Sequence, residues 1–247
     1  VSARTSRAID QENNPAMSAL PPQGEKAAAV REMFDRISPS YDRVNRIMTF
    51  NADQRWRREL VRRLRVGPDD LVLDLACGTG DFAEICRKAG AAAVGLDFSR
   101  GMLTAANQRF PGLGIFVQGD ALRLPFADGS FSVAVSGFAL RNFVAIPPVL
   151  EELARVLKPG GRLGLLEVDK PRNRLVATGH GIYFNRVVPL VGGLIADRKA
   201  YRYLPQSASY LPPEAGMRAI IEAAGFTGIQ KRSPMFGAIQ SISAVRA

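Results

Sequence analysis

Three aspartates in this chain, Asp74, Asp97 and Asp120, each follow a short apolar run, and the first leads directly into Cys77-Gly78-Thr79-Gly80. An apolar run closed by a carboxylate reads as a buried strand that delivers an acid at its carboxyl end. The ends of neighbouring parallel strands converge on one crevice, so three such acids can share a ligand. Gly78 and Gly80 make a turn in which the backbone can approach that ligand without a side chain in the way. A ribose, an exocyclic amine and a positive charge are the groups such a set of carboxylates suits. Spacing alone leaves more than one reading open. Gly78-x-Gly80-x-x-Ala83 also satisfies the loose dinucleotide fingerprint, with Asp97 at about the distance of a ribose-binding acid.

The elements that must position these residues follow from periodicity. Residues 71–75 form a strand, 81–89 a helix that begins at the glycine turn, 92–96 a second strand, and 99–109 a helix capped by Ser99. Residues 113–118, 131–137 and 162–168 read as further strands, 144–157 as a helix, and Lys158-Pro159-Gly160-Gly161 as a tight turn. Residues 212–225 are an amphipathic helix, followed by closing strands at 226–233 and 236–245. This alternation predicts an α/β fold: a doubly wound, Rossmann-like, mostly parallel seven-stranded sheet. Upstream, Ala29, Met33, Phe34 and Ile37, then Tyr41, Val44, Ile47 and Met48, predict N-terminal helices separated at Pro39. Residues 1–24 lack periodicity and read as a disordered tail, leaving 25–247 as one domain. Residues 170–210 break the alternation with Tyr183, Phe184, Tyr201, Tyr203 and Tyr210 among basic residues; they predict an inserted helical cap over the crevice, and it contains His180.

Composition excludes several classes. At 247 residues and 47% hydrophobic, the chain suits one ordinary α/β domain. A single histidine and two cysteines, Cys77 and Cys86, rule out multi-histidine metal sites and a disulfide framework, so no metal is expected. No apolar run reaches the length of a membrane span, the start lacks the apolar core of a secretory signal, and a reducing cytoplasm is the default. The net charge of +10 implies an acidic partner, either nucleic acid or an anionic membrane surface. Residues 53–66 are the most basic stretch: Arg55, Arg57, Arg58, Arg62, Arg63 and Arg65 surround a stripe of Trp56, Leu60 and Leu64. The stripe is expected to pack on the sheet, leaving a solvated arginine face able to lie on an anionic bilayer.

Asp74-x-x-Cys77-Gly78-x-Gly80 followed by Gly95-Leu96-Asp97 resembles motif I and the second-strand acid of class I S-adenosylmethionine-dependent methyltransferases. Dinucleotide folds usually carry an apolar residue at the place of Asp74. The resemblance implies S-adenosyl-L-methionine as cofactor, the glycine turn against its methionine moiety, Asp97 on both ribose hydroxyls and Gly119-Asp120-Ala121 at the adenine. The cofactor-binding residues it implies are Asp74, Ala76, Gly78, Thr79, Gly80, Asp97, Phe98, Met102, Asp120, Ala121 and Ser136.

A narrower resemblance spans about residues 34–233. Tyr41-Asp42-Arg43-Val44-Asn45, Met48-Thr49-Phe50 and Trp56 are similar to the N-terminal signature of the ubiquinone/menaquinone biosynthesis C-methyltransferases (UbiE/MenG type). The segment from Ser136 to Asn142 is similar to that family's Phe-Gly-Leu-Arg-Asn stretch, and Tyr201-Arg202-Tyr203-Leu204-Pro205-Gln206-Ser207 matches a later one. Two positions depart: Asp53 stands where the signature usually has histidine, and residues 236–243 differ from the usual last strand. The family implies methylation of a ring carbon on a reduced, prenylated quinol, with demethylmenaquinol first and the ubiquinone-pathway benzoquinol second. It implies Arg141 as the group that stabilises a developing phenolate, Asn142 as a ring-orienting hydrogen-bonding group, and Tyr41 and Asp42 as closing residues, Asp42 doubling as alternative base. A bilayer-borne substrate implies peripheral association with an anionic membrane from the cytoplasm, with a homodimer as a possible assembly.

Three rival readings fare less well. A nucleic-acid amino-methylating enzyme commonly has Asn/Asp-Pro-Pro-aromatic after the fourth strand, where this chain has Leu140-Arg141-Asn142-Phe143, so no nucleic acid is expected. A nicotinamide-dependent reductase would want Asp74 apolar and a tyrosine-lysine or histidine pair. A silent cofactor-binding module would have no use for Arg141-Asn142.

Overall fold

The computed structural model describes residues 25–112, 114–171 and 206–247, with Asn173, Thr178, Gly179, Gly181, Tyr183, Arg186, Leu190, Ala200 and Tyr203 between. The expected tail and most of the expected cap, His180 included, lie outside the described residues.

Helices α1 (Lys26–Ile37), α2 (Tyr41–Thr49) and α3 (Ala52–Arg63) precede the sheet. α1 ends one turn-like residue before Pro39: Ser38 still has helical backbone and donates its amide to the Phe34 carbonyl, and Pro39 has no N–H with which to continue the ladder. Then follow β1 (Leu71–Leu75), α4 (Asp81–Lys88), β2 (Ala92–Asp97), α5 (Arg100–Arg109), β3 (Ile115–Gln118), β4 (Phe131–Gly137), α6 (Ile146–Val156), β5 (Leu157–Val168), α7 (Glu214–Ala223), β6 (Phe226–Arg232) and β7 (Ile239–Arg246). Among the described residues the strands form one seven-stranded sheet in the order β3-β2-β1-β4-β5-β7-β6. β7 runs antiparallel to both neighbours, and the other pairings are parallel. The doubly wound, mostly parallel sheet expected from the alternation is the fold observed.

Residue type decides position in the sheet. β1 and β4 are almost wholly buried and apolar, as strands covered on both faces must be, whereas edge strands β3 and β6 alternate or expose their residues. On one face Leu73 and Leu75 pack with Val149, Leu150 and Leu153 of α6 and Ile221 of α7. On the other, Val72 meets Leu60, Val61 and Leu64 of α3 and Phe82 and Ala83 of α4. The Lys158–Gly161 turn is taken up within β5: Leu157 pairs with Phe131 and Arg162 with Val133, so the turn residues bulge out between two paired positions.

The basic stretch divides more finely than its composition indicates. Leu60 and Leu64 are buried against the sheet and Trp56 packs beside them, while Arg55, Arg58, Arg62 and Arg65 face solvent. Arg57 does not join them; it is buried at 5% exposure. α3 runs antiparallel to the parallel strands, because Arg162 within β5 donates to the carbonyls of Leu64 and Arg65 after its last turn, while Arg57 near its start lies beside Gly137 at the end of β4. Its first turn therefore lies at the carboxyl end of the parallel strands, where the crevice opens.

Close packing under the glycine turn leaves no room at Gly95 of β2. A methyl there would sit 2.6 Å from Phe116 Cδ1 and 2.9 Å from Cys77 Sγ. Gly95→Ala is expected to cost about 1–3 kcal/mol by overpacking, read as a lower urea midpoint at unchanged slope.

Candidate active site

The turn after β1 is held in strained backbone. Ala76 has φ +53°, Gly78 +54° and Gly80 +87°; a non-glycine residue in that region costs of order 1–3 kcal/mol, as residues at ligand sites often do. The Gly78 amide donates to Asp97 Oδ2 at 2.8 Å and the Ser99 amide to Oδ1 at 2.8 Å, which fixes the carboxylate at the end of β2. Each oxygen keeps a lone pair for another donor. Burial, only partly offset by these amide hydrogen bonds, raises the Asp97 carboxyl to about 6. Ser99 caps α5 by accepting from the Met102 amide, and its hydroxyl donates to Asp35 of α1 at 2.6 Å.

Asp74 shares its face of β1 with Val72, because side chains alternate along a strand, and so points towards α4. Its Oδ2 accepts from the Ala83 amide at 3.0 Å. Burial pushes this carboxyl up to about 8, which makes it protonated at neutral pH.

A crevice of about 880 Å³ opens at the carboxyl ends of β1, β2 and β4. It gathers Ala76, Gly78, Asp97, Phe98, Met102, Asp120 and Ala121, together with Tyr41 and Asn142. The Asn142 Oδ1 is buried with no hydrogen-bond partner. Other sequence-predicted residues lie outside that lining. Ser136 donates to the Leu75 carbonyl at 2.9 Å and ties β4 to β1. Thr79 donates to Asp42 Oδ1 at 2.6 Å, and Asp42 Oδ2 accepts from Arg109 at 2.9 Å. Asp74 lies beneath the turn, and Gly80 closes it with its backbone against Phe110 and Phe116.

A second cavity of about 690 Å³ adjoins the first, and Phe34, Tyr41 and Phe138 belong to both. Phe138 follows β4 with φ +61°, another non-glycine residue in left-handed backbone. Arg141 faces this second cavity; it is 5% exposed and ion-paired with the buried Glu167 of β5. Tyr41 meets Phe34 edge-to-face at 6.0 Å. Burial raises its phenol above the ordinary value, opposed by the charges of Arg57 and Arg141. Lys26 of α1 pins the loop after β4 from outside, donating to the carbonyls of Arg141 at 3.1 Å and Phe143 at 2.6 Å.

The N-terminal helices are fastened to the turn by charge. Asp81, the first residue of α4, receives Arg46 at 2.7 Å and Arg109 at 2.9 Å, with Arg57 at 3.9 Å. Arg46 and Arg57 also pair with Asp53, and Arg109 with Asp42. Burial alone would raise the Asp81 carboxyl, but Arg57, Arg46 and Arg109 outweigh it and hold it below the usual carboxylate value. Sequence reasoning missed Asp81, Arg46, Arg57, Arg109, Lys26 and Asp35 as site-building residues. For Glu167 a signal existed: it interrupts the apolar run 163–168, and a charge inside a buried strand needs a partner.

Among the described residues no group of histidine, cysteine and carboxylate side chains has the arrangement of a metal site. A family model described as the ubiE/COQ5 methyltransferase family matches residues 23–246. A demethylmenaquinone methyltransferase from Roseiflexus sp. (strain RS-1) is 41% identical over 225 residues, covering 90% of this chain and 94% of that protein. One from Thermus thermophilus is 43% identical over 79% of this chain and 91% of its own length. A ubiquinone/menaquinone biosynthesis C-methyltransferase UbiE from Geobacter sulfurreducens is 39% identical over 86% of each chain. Among solved structures, a putative methyltransferase in complex with the Haloferax volcanii Trm112 methyltransferase activator shares the fold, with TM-score 0.62 at 19% identity over 86% of this chain and 96% of that one. Haemonchus contortus phosphoethanolamine N-methyltransferase 2, in complex with S-adenosyl-L-methionine, does so with TM-score 0.58 at 16% identity over 76% and 51%.

Removing the central carboxylate tests the charge network. Asp81→Asn leaves three arginines short of one partner and is expected to lose about 3 kcal/mol at pH 7. Because the Asp81 pKa is depressed, its contribution is present at neutral pH and is lost as pH falls below the usual carboxylate value of about 4. Urea midpoints of wild type and variant should therefore converge on acidification.

Proposed function

The chain belongs to the ubiE/COQ5 methyltransferase family and is an S-adenosylmethionine-dependent methyltransferase, and we propose that it methylates a ring carbon of a prenylated quinol, demethylmenaquinol in the first place. The observation that carries this reading is the pair of adjoining cavities divided by Phe34, Tyr41 and Phe138. One suits a nucleoside and the other a flat, largely apolar ring that meets buried guanidinium.

The first crevice fits the cofactor. Asp97 has lone pairs left for two ribose hydroxyls, and the space beside Gly78 is open, with no atom within 4 Å of where a Cβ would stand. Ala76 and Gly78 would hold the methionine end, Asp97 the ribose, and Asp120 and Ala121 the adenine, with Phe98 and Met102 against its faces. When bound, S-adenosylmethionine supplies an electrophilic methyl group.

The chain's residues supply orientation and electrostatics. Arg141 stabilises the phenolate that forms when the ring hydroxyl beside the reacting carbon gives up its proton. Asn142 lines the cofactor crevice, and its unpartnered Oδ1 would accept from a ring hydroxyl where the ring reaches past the shared wall towards the methyl donor. Asp42 already accepts from Thr79 and Arg109, so proton removal falls to a water ordered in the acceptor cavity rather than to that carboxylate.

We read the carboxyl end of the sheet as the membrane-facing side, approached from the cytoplasm. No helix among the described residues is long and apolar enough to cross a membrane. Phe50, at the α2–α3 junction, is 80% exposed, and Phe236, ahead of β7, is 84% exposed. Both loops belong to the crevice end, since α3 starts there and β7 begins opposite Val168, the last residue of β5. Apolar tips beside exposed arginines suit docking on an anionic bilayer.

Labelled S-adenosylmethionine with reduced demethylmenaquinol in liposomes tests the reading. Arg141→Ala alone would strand buried Glu167, so Arg141→Met with Glu167→Gln is the informative variant. It is expected to keep S-adenosylhomocysteine binding and lose about 100-fold or more in kcat/KM; full activity would sink the role of Arg141. Cofactor affinity should fall about tenfold per pH unit below about 6, where Asp97 protonates, and Asp97→Asn should bind weakly with a flat profile. Titration calorimetry with S-adenosylhomocysteine from pH 5 to 8 measures both.

A further inference from the structure

We infer that Arg57 is a second substrate-contacting guanidinium of the acceptor cavity, that it grips the ring oxygen remote from the methylated carbon, and that Asp53 is the positioning residue that aims it. The inference rests on the quinol reading above and adds to it a residue that the arginine-rich sequence conceals.

Arg57 and Arg141 both face the second cavity and both are 5% exposed. In each, one end of the guanidinium is tied down: Arg57 Nη1 donates to Asp53 Oδ2 at 2.6 Å, and Arg141 Nη1 to Glu167. In each, the Nε atom is buried without a hydrogen-bond partner. A buried N–H left unpaired is costly and calls for a reason. Two guanidiniums on the lining of one cavity, each with an N–H still unpaired and neither able to be deprotonated, suit a ligand that brings two acceptor oxygens on a flat ring. A para-quinol has that shape.

The plane of Arg57 is fixed as well as its anchor. Its guanidinium lies 5.5 Å from the Phe82 ring centre and 5.3 Å from that of Phe138, the latter in the wall shared with the cofactor crevice. Asp53 is itself held by Thr49 at 2.9 Å and by Arg46, so the carboxylate cannot swing away. The two donors approach from different elements. Arg141 adjoins Asn142 of the cofactor crevice in the chain and takes the oxygen next to the reacting carbon; Arg57, on α3, takes the other. Charge does not oppose this arrangement, because the network around Arg57 balances Arg46, Arg57 and Arg109 against Asp42, Asp53 and Asp81.

The test compares two short-tailed acceptors with the full chain under anaerobic conditions. One is 2-prenyl-1,4-naphthalenediol; the other is 3-prenyl-1-naphthol, which keeps only the hydroxyl beside the carbon to be methylated. Binding is read by calorimetry with S-adenosylhomocysteine present, and turnover with labelled S-adenosylmethionine. Arg57→Gln is expected to lose about 30-fold in affinity and kcat/KM on the diol, as for a lost charged hydrogen bond, and less than about threefold on the mono-ol by the same reasoning. Asp53→Asn should shift the diol-to-mono-ol ratio in the same direction by a smaller factor, with S-adenosylhomocysteine affinity unchanged. If Arg57→Gln does not fold, wild type and Asp53→Asn carry the comparison, and wild type must bind the diol at least about tenfold tighter than the mono-ol. Equal losses on both acceptors, or a wild type indifferent to the second oxygen, overturn the role of Arg57 and leave the quinol reading standing. A wild type that binds S-adenosylhomocysteine but neither acceptor overturns the quinol reading, and the role of Arg57 with it.

Discussion

The site depends on one buried carboxylate. Asp81 stands at the start of α4, directly behind the glycine turn, and draws in Arg46 from α2, Arg57 from α3 and Arg109 from the end of α5. A helix N-terminus favours an anion there, and the arginines make its ionisation favourable despite burial. Beside this hub, α1 and α2 dock through a small apolar cluster around Met33, Ile37, Val44 and Met102 and through Lys26 and Asp35 of α1, while α3 packs Leu60, Val61 and Leu64 on the sheet. Those helices contribute Phe34 and Tyr41, the wall that both cavities share. The charge network is thus what turns a sheet with a crevice into a sheet with two adjoining compartments.

Two carboxylates at neighbouring strand ends divide the work through their surroundings. Asp74 has one amide donor and deep burial, and its carboxyl rises to about 8; it serves as a neutral peg between β1 and α4. Asp97 has amide donors on both oxygens, which compensate more of the burial, and it rises only to about 6. At neutral pH one is neutral and structural and the other ionised and free to accept from a ligand. Ala76 between the two acids and Phe138 at the end of β4 both adopt left-handed backbone.

The loop after β4 is clamped from two sides. Glu167 of β5 pairs with the Arg141 side chain, while Lys26 of α1 holds the carbonyls of Arg141 and Phe143. Burial lowers the Lys26 ammonium to about 8, the expected direction for a cation moved out of water. Arg141 therefore has a structural duty along with its proposed chemical one.

The sequence by itself determined the sheet, the glycine turn and the acids along the crevice, because period-two apolar runs, turn glycines and strand-end carboxylates are local signals. The resemblance in residues 34–56 and 136–142 reached the family for the same reason, since its residues stand close together in the chain. Only the tertiary structure decided which acid faces the crevice: Asp74 and Asp97 look alike in sequence, yet one turns under α4 and the other lines the crevice wall. Nor could periodicity separate Arg57 from Arg55, Arg58, Arg62 and Arg65, because its burial depends on Asp81, Phe82 and Phe138 arriving from other elements, beside Asp53 one turn back on its own helix. Asp42 in sequence is a free carboxylate beside a tyrosine; in the fold Thr79 and Arg109 have claimed it. Apart from the Arg57–Asp53 pair within α3, the buried charges here pair across space, so their partners are fixed only when the helices have docked.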